Sequence, residues 1–403
     1  MRKRTALILG GVGTMGLSAS KELVASEQLE TIAVADADIE ELRERVAEWG
    51  LPEDAAVALD ARDESALRDL MATAPDVVVN ALPKQLAVNV ARAAVATGAR
   101  VIDLNSLSPP LRELDGKASA VGAVYVAGCG ASSGLTNMMA KHGARGMTEI
   151  EAIEVSIASF RSIALSPASI HGVFWEFGPD SVRGYCADGA YHRLRLWEDP
   201  VEIDFGDPIG CRTVYPLPHS EPRTLSRNLQ AKRVIVRGTF TPKAMRLIRS
   251  LIDYGFFRSE PVVINGLPIQ RRELMVRYLE QVPQANEEPI WDYGLHVRVT
   301  GRVSDRRVER VLSTSHPPSS ELGWSGPDAW IRCVALPLVA GSLLLARGNY
   351  VGVGIDAPEA FLPAEPFLKE LHSRGLSVHE CTREVGCRAP SPPGKRWRRS
   401  DLP

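Results

Sequence analysis

The first 130 residues repeat a single alternation. Short apolar, β-branched runs ("TALILGG", "TIAVADAD", "AAVALDARD", "DVVVNALP", "RVIDLNS", "AVYVAGCG") are separated by stretches of helical periodicity. Thr14 to Ala25, "IEELRERVAEWG", "ESALRDLMATA" and "QLAVNVARAAVATG" are such helices, the second and fourth closed by Gly50 and Gly98. Strands that are apolar throughout rather than on alternate residues belong to a parallel sheet covered on both faces. Right-handed crossovers then leave one architecture, a doubly wound α/β sheet of the Rossmann type.

The turn after the first run reads "LILGGVGTMG", with Gly11, Gly13 and Gly16 at G-x-G-x-x-G spacing. That spacing carries weight only with a strand before it, a helix after it and an acid ending the second strand, and all three are present. Gly11 is assigned to the tight turn, Gly13 to close approach of a pyrophosphate, and Gly16 to packing of helix on strand. The amides of Thr14, Met15 and Gly16 would meet the phosphates at the positive end of the helix dipole. Asp36 ends "TIAVAD", where a carboxylate accepts from ribose hydroxyls and repels a 2′-phosphate. The expected coenzyme is therefore NAD, with NADP the alternative. Asp60 is expected either at the adenine edge or as a helix N-cap. Asn80, Ala81, Leu82 and Pro83 ("NALP") and Asp103 end the fourth and fifth strands, on the edge where open α/β sheets bind ligands.

A chain of 403 residues exceeds one ordinary core, so two domains are expected. From about Glu149 the strands lengthen and alternate with polar residues ("IEAIEVSIASF", "RVIVRGTF", "YGLHVRVTGRV", "RRVERVLSTS"), the pattern of a mixed or antiparallel sheet. We place the Rossmann domain at residues 1–130, completed by about 345–385. An inserted α+β substrate and dimerisation domain takes 131–344, and 386–403 is a disordered basic tail. Lys and Arg total 47 against 49 Asp and Glu, which gives no general affinity for nucleic acid or membrane. "CVALPLVAGSLLLA" contains Pro337 and Gly341, reads as a buried kinked helix and falls short of a membrane span. The opening "MRKR" with its short apolar run reads as a first strand rather than a signal, which makes the cytoplasm the expected compartment. Six scattered cysteines without a C-x-x-C pair argue against a metal site and a disulfide framework.

The order and spacing of "ILGGVGTMG", "DVVVNALP", "VIDLNS", "GASSGLTNMMA", "DFGDPIGCRTVYPLPHSEPRTL", "VRGTF" and "GNYVGVGIDAPEAF" resemble the saccharopine dehydrogenase family, including its lysine 6-dehydrogenase-like members. The resemblance covers nearly the whole chain except the tail. It implies nicotinamide-dependent chemistry at a C–N bond of an amino acid or amine, and a homodimer. Relatives commonly carry a proline before the glycine of "SGLTN"; here Ser132-Ser133-Gly134 stands there, and the resemblance sets Ser133 near nicotinamide and substrate. It also sets Thr224 and Arg237 where relatives hold a substrate carboxylate, a task that suits a guanidinium. Proton transfer at a C–N bond needs a group titrating near working pH. His219 in "PHSEP" is the first choice, Asp103 the second, and Glu221 would pair with a substrate ammonium. Two further readings share the scaffold: reductive condensation of an amine with an aldehyde or keto acid, and a catalytically silent dinucleotide-binding regulator.

Overall fold

The structure is a computed structural model that describes residues 4–163, 166–281, 291–318, 320–321 and 323–384. The basic tail expected at 386–403 lies outside the described residues. The alternating first third becomes β1 (Thr5–Leu9), α1 (Thr14–Ala25), β2 (Thr31–Asp36), α2 (Ile39–Glu48), β3 (Ala56–Ala58), α3 (Glu64–Met71), β4 (Val77–Asn80), α4 (Ala87–Thr97), β5 (Arg100–Asp103), two short helices α5 (Pro109–Arg112) and α6 (Asp115–Val121), and β6 (Val124–Ala127). Every neighbouring pair is parallel, in the order β6-β5-β4-β1-β2-β3. The direction of winding reverses between β1 and β4, which opens a crevice at their carboxyl ends.

β3 is shorter than "AAVALDARD" predicts. Asp63 ends that stretch by accepting from the amides of Ser65 and Ala66, so the chain must turn before α3.

The second region starts with α7 (Leu135–Gly143) and β7 (Glu149–Phe160), followed by α8 (Pro167–Phe177), β8 (Arg183–Ala187), β9 (Ala190–Leu194), β10 (Val201–Asp204) and β11 (Cys211–Pro216). It continues through α9 (Glu221–Asn228), β12 (Arg233–Phe240), α10 (Pro242–Asp253), the small hairpin β13 (Val262–Ile264) and β14 (Leu267–Ile269), α11 (Arg271–Gln281), β15 (Asp292–Val303) and β16 (Arg306–Ser315). The chain then returns through α12 (Pro327–Ala346), β17 (Gly354–Asp356), α13 (Pro358–Phe361), α14 (Ala364–His372) and β18 (Ser377–Glu384). The larger sheet runs β10-β11-β12-β7-β15-β16-β18, with β8 and β9 branching from β12. Only β12 and β7 are parallel within it, so the sheet is mixed.

Alternation gives this sheet two unlike faces. Ile153, Val155, Ile157, Val234, Val236, Leu295, Val297 and Val299 form an apolar face that joins the main core. Glu154, Ser156, Arg237, His296 and Arg298 fall on the other face.

The returning segment corrects the expected division. β17 pairs with β6 and extends the first sheet, but β18 pairs with β16 in the second. α12, assigned by sequence to the inserted domain, packs on α1, β4 and β5. It is also a full 20-residue helix, long and apolar enough in composition to cross a membrane, against the expectation that it falls short. Its apolarity is used inside the protein, where 83% of its most apolar window is buried.

Candidate active site

The nucleotide loop is built by steric exclusion. The left-handed residue is Gly10 (φ +83), not Gly11, so the tight turn falls one position earlier than the motif predicts. A Cβ on Gly11 would lie 2.1 Å from Val34 Cγ1, and one on Gly16 would lie 1.8 Å from the Gly10 carbonyl oxygen. Gly11 and Gly16 are therefore close-packing residues that clamp α1 against β1 and β2. Gly13 begins α1 without any side-chain cap, and the first turn has no acid, so its amides keep the dipole's positive end for a ligand. Thr14 and Met15 stand at this mouth. Asp36 Oδ2 accepts from the Val12 amide at 3.1 Å, and Oδ1 accepts from the Asp38 amide at 3.2 Å. The acid thus props the loop while standing beside the position a ribose would take. Asn80 Oδ1 accepts from the Leu82 amide, shaping Asn80–Pro83 into the opposite lip of the crevice. A dinucleotide fits these residues: Gly11 and Gly16 where a Cβ would collide, Gly13 with room on its Cβ side, uncapped amides, and one carboxylate at the end of β2.

Asp60 is neither helix cap nor buried contact. It grips Arg62 through Oδ2 at 2.7 Å, and that guanidinium, first through its side-chain hydrogen bonds, pulls the carboxyl down to about 2. Asp63 is the cap instead.

Across the crevice, the loop at Ser132, the end of α8 and the turn at His219 bring polar groups into one row. Ser132 Oγ donates to Glu221 Oε1 at 2.5 Å and lies 3.1 Å from His219 Nδ1. Thr136 Oγ1 donates to the same Glu221 oxygen at 3.0 Å. On the other side of the ring, His219 Nε2 lies 3.6 Å from Glu176 Oε1, too far for a hydrogen bond. Trp175 stacks on His219 with ring centroids 5.4 Å apart, and Lys84, next to Pro83 of the nucleotide lip, sets its ammonium 5.3 Å from the Trp175 ring centre. The row therefore borders the coenzyme crevice.

Burial alone would depress the imidazole, but the Glu176 and Glu221 carboxylates outweigh it and hold His219 up at about 9. Glu221 is wholly buried, which opposes its charge, yet His219 keeps it below the ordinary carboxylate range. Three buried atoms here have no partner among the described residues: His219 Nε2, Glu221 Oε2 and Glu176 Oε2. Unsatisfied buried polar atoms are costly, and three in one row mark a place where a ligand completes the bonding.

Thr224 sits behind the row and accepts from Asn137 Nδ2 at 3.2 Å. The same amide donates to Glu359 Oε2 at 2.9 Å, and Asn137 Oδ1 accepts from the Gly134 amide. Burial pushes Glu359 up to about 7. These groups fasten the Ser132–Gly134 loop to the returning chain.

Ser133, Asp103 and Arg237 also lie elsewhere. Ser133 turns away from the row and meets Ser106 Oγ at 3.0 Å; it is Ser132 that reaches Glu221 and His219. Asp103 is sealed beneath Tyr125, whose hydroxyl donates at 2.5 Å, and accepts from Asn105. Burial raises it to about 6, but with no access it can only brace the strand ends. Arg237 does not face the substrate side at all. It lies on the polar face of the second sheet, paired with Asp199 and with Glu154 at 3.7 Å, while its neighbours Val234 and Val236 face the core. The period-2 pattern of "RVIVRGTF" already contains this outcome. Conversely, Glu176 and Trp175 join the row with nothing in the local sequence to mark them, while Ser132 belongs to the departing Ser132-Ser133-Gly134 stretch.

Residues 6–126 match the saccharopine dehydrogenase NADP binding domain. The first domain is thus similar to the nucleotide-binding domain of that family. A curated relative, the NADP(+)-dependent, L-glutamate-forming saccharopine dehydrogenase of Saccharomyces cerevisiae, is 24% identical over 277 residues. That match takes in 64% of this chain and 60% of the length of the relative. The solved apo structure of the histidine-tagged yeast enzyme superposes with a TM-score of 0.69 at 17% identity, covering 94% of this chain and all of that one. The likeness of fold thus extends beyond the nucleotide domain to the second sheet.

Proposed function

We propose that the protein is an NAD(P)-dependent oxidoreductase acting on a C–N bond of an amino acid or amine, with His219 as its acid/base group. The observation that carries this reading is the buried His219 between two carboxylates, its outer nitrogen unpartnered, on the border of the dinucleotide crevice. A bound nicotinamide supplies or accepts the hydride. The chain's own residues handle the nitrogen. Glu221 and Ser132 hold Nδ1, so Nε2 points outward with its proton toward Glu176. An imine nitrogen that reaches both Nε2 and Glu176 takes that proton, Glu176 faces the charge of the iminium so formed, and hydride arriving at its carbon leaves a neutral amine. In the reverse direction the nitrogen must enter uncharged and His219 must be deprotonated.

With a value near 9, His219 is charged at neutral pH, and this favours the reductive direction, from imine to amine. Reductive joining of an amine to an aldehyde or keto acid is the second reading, supported by the same charged imidazole. The preferred coenzyme is NAD: Asp36 and Asp38 stand at the ribose edge, and a 2′-phosphate there would meet their charge. The part of the second sheet's polar face around His296 and Arg298, only partly covered, is where a homodimer would form.

Absorbance of the reduced coenzyme, followed with a panel of amino acids, amines and aldehydes and with NAD and NADP, tests the reading. Turnover of at least one C–N substrate is expected. Tight coenzyme binding with no turnover in either direction would overturn it in favour of a silent nucleotide-binding regulator. Asp36→Ala is expected to narrow the NAD preference about tenfold, the size of one lost charged hydrogen bond.

A further inference from the structure

The guanidinium expected to hold a substrate carboxylate, Arg237, is occupied on the far face of the sheet. A different arginine lies against the opposite face. Arg161 follows the last residue of β7 and is almost completely buried. Phe240 and Trp330 hold its plane, with ring centres 5.1 Å and 4.9 Å from Cζ. Nη1 donates to the Ser162 carbonyl at 2.8 Å, which anchors one prong. The other edge is buried and under-satisfied: Nε has no hydrogen-bond partner among the described residues, and Nη2 reaches the Ser169 carbonyl only at 3.5 Å, the limit of a hydrogen bond. Nε and Nη2 form the side-on fork with which arginine grips both oxygens of a carboxylate.

The surroundings are coupled by charge to the His219 row. Burial weakens the hold of Arg161 on its charge, and the Glu176 carboxylate is the leading group that restores it, followed by Tyr293. Tyr293 packs edge-on against Trp330, 5.8 Å between centroids, and burial and the Glu176 charge push its hydroxyl upward, while Arg161 opposes them. A buried cation with a half-satisfied fork is costly unless an anion completes it. It lies within the field of Glu176, the acid at the proposed reacting nitrogen.

We propose that Arg161 is the specificity-determining residue of this site, receiving the carboxylate of an amino-acid substrate side-on through Nε and Nη2. The inference rests on the C–N oxidoreductase reading above and narrows its substrate class from amines in general to amino acids. Simple amines would leave the fork empty.

The test pairs α-amino acids with their decarboxylated counterparts, beginning with L-lysine and cadaverine, on the full-length protein with NAD. Calorimetric binding to the coenzyme complex is measured alongside turnover. The expected result is a preference of about 100-fold or more in kcat/KM for the acid-bearing member, because a site built for a polar group strongly rejects the analogue lacking it. Carboxylate-dependent binding should appear even without turnover. Arg161→Gln should collapse the preference mainly through KM, with coenzyme binding unchanged, and Arg161→Lys should restore part of it. A merely structural arginine would lower stability without moving the preference. Equal handling of acid and amine by the unmodified protein overturns the inference while leaving the oxidoreductase reading intact, and needs no variant to fold. Binding of amino acids through their carboxylates with no turnover of any partner would sink that reading and leave Arg161 in place.

Discussion

The glycine loop and the His219 row border the same crevice but are made in opposite ways. The loop is one contiguous stretch, Gly10 to Gly16, and works through what it lacks: no Cβ, no cap, no acid in the first turn. The row draws on Ser132, Glu176, His219 and Glu221, from two loops and two helices, and works through what it accumulates, buried charge with unfilled bonding. Backbone amides need no titration, so a loop of this kind binds across a wide pH range. The row exists only as a set of coupled ionisations, so its activity must depend on pH and its parts cannot be exchanged singly.

That contrast can be broken most decisively at Gly16. Gly16→Val puts a branched side chain where a Cβ already lies 1.8 Å from the Gly10 carbonyl, so coenzyme binding should vanish in calorimetry. Retained affinity would mean the loop is not the phosphate cradle. His219→Gln should act on chemistry alone: kcat falls by about 10² to 10⁴, the range for a lost acid/base group, while coenzyme affinity holds. A parallel loss of affinity would show that the row and the loop are one device rather than two.

Glu221→Gln sharpens the electrostatic side. With the carboxylate gone, His219 should drop by about one unit or more from its value near 9. Imine reduction, which needs the charged ring, should then fail at lower pH than in the unmodified protein. Amine oxidation, which needs the neutral ring, should begin at lower pH. A pH–kcat/KM profile that stays in place would remove His219 from its role. The smallest effect is expected at Arg237→Met, where loss of the pairing with Asp199 and Glu154 should lower the melting temperature by a few degrees, about what 1 kcal/mol does in a chain of this size, and leave KM unchanged. A raised KM there would restore the carboxylate clamp to Arg237 and count against Arg161.

Legibility followed the same division. β1, β2, β4, β5 and β6 were readable because parallel strands buried on both faces are apolar throughout, and β12 and β16 match their predicted limits residue for residue. The glycine spacing was readable as a loop, although the turn itself belongs to Gly10. Asp60 was misjudged because two acids three residues apart compete for one helix end, and geometry awarded it to Asp63. Ser133 and Ser132 are indistinguishable in sequence; one faces Ser106 and the other Glu221. Glu176 and Arg161 carry no local mark because their meaning lies in neighbours far away in the chain.

By itself, the sequence determined the doubly wound domain, the dinucleotide loop and the existence of a second, mixed sheet. All three rest on short-range periodicity and on the steric allowance of glycine. Only the tertiary structure decided which arginine is coupled by charge to the His219 row, which serine touches Glu221, and that β18 joins the second sheet. Each of these depends on desolvation and on charges meeting across long loops, quantities that do not exist until the chain has closed.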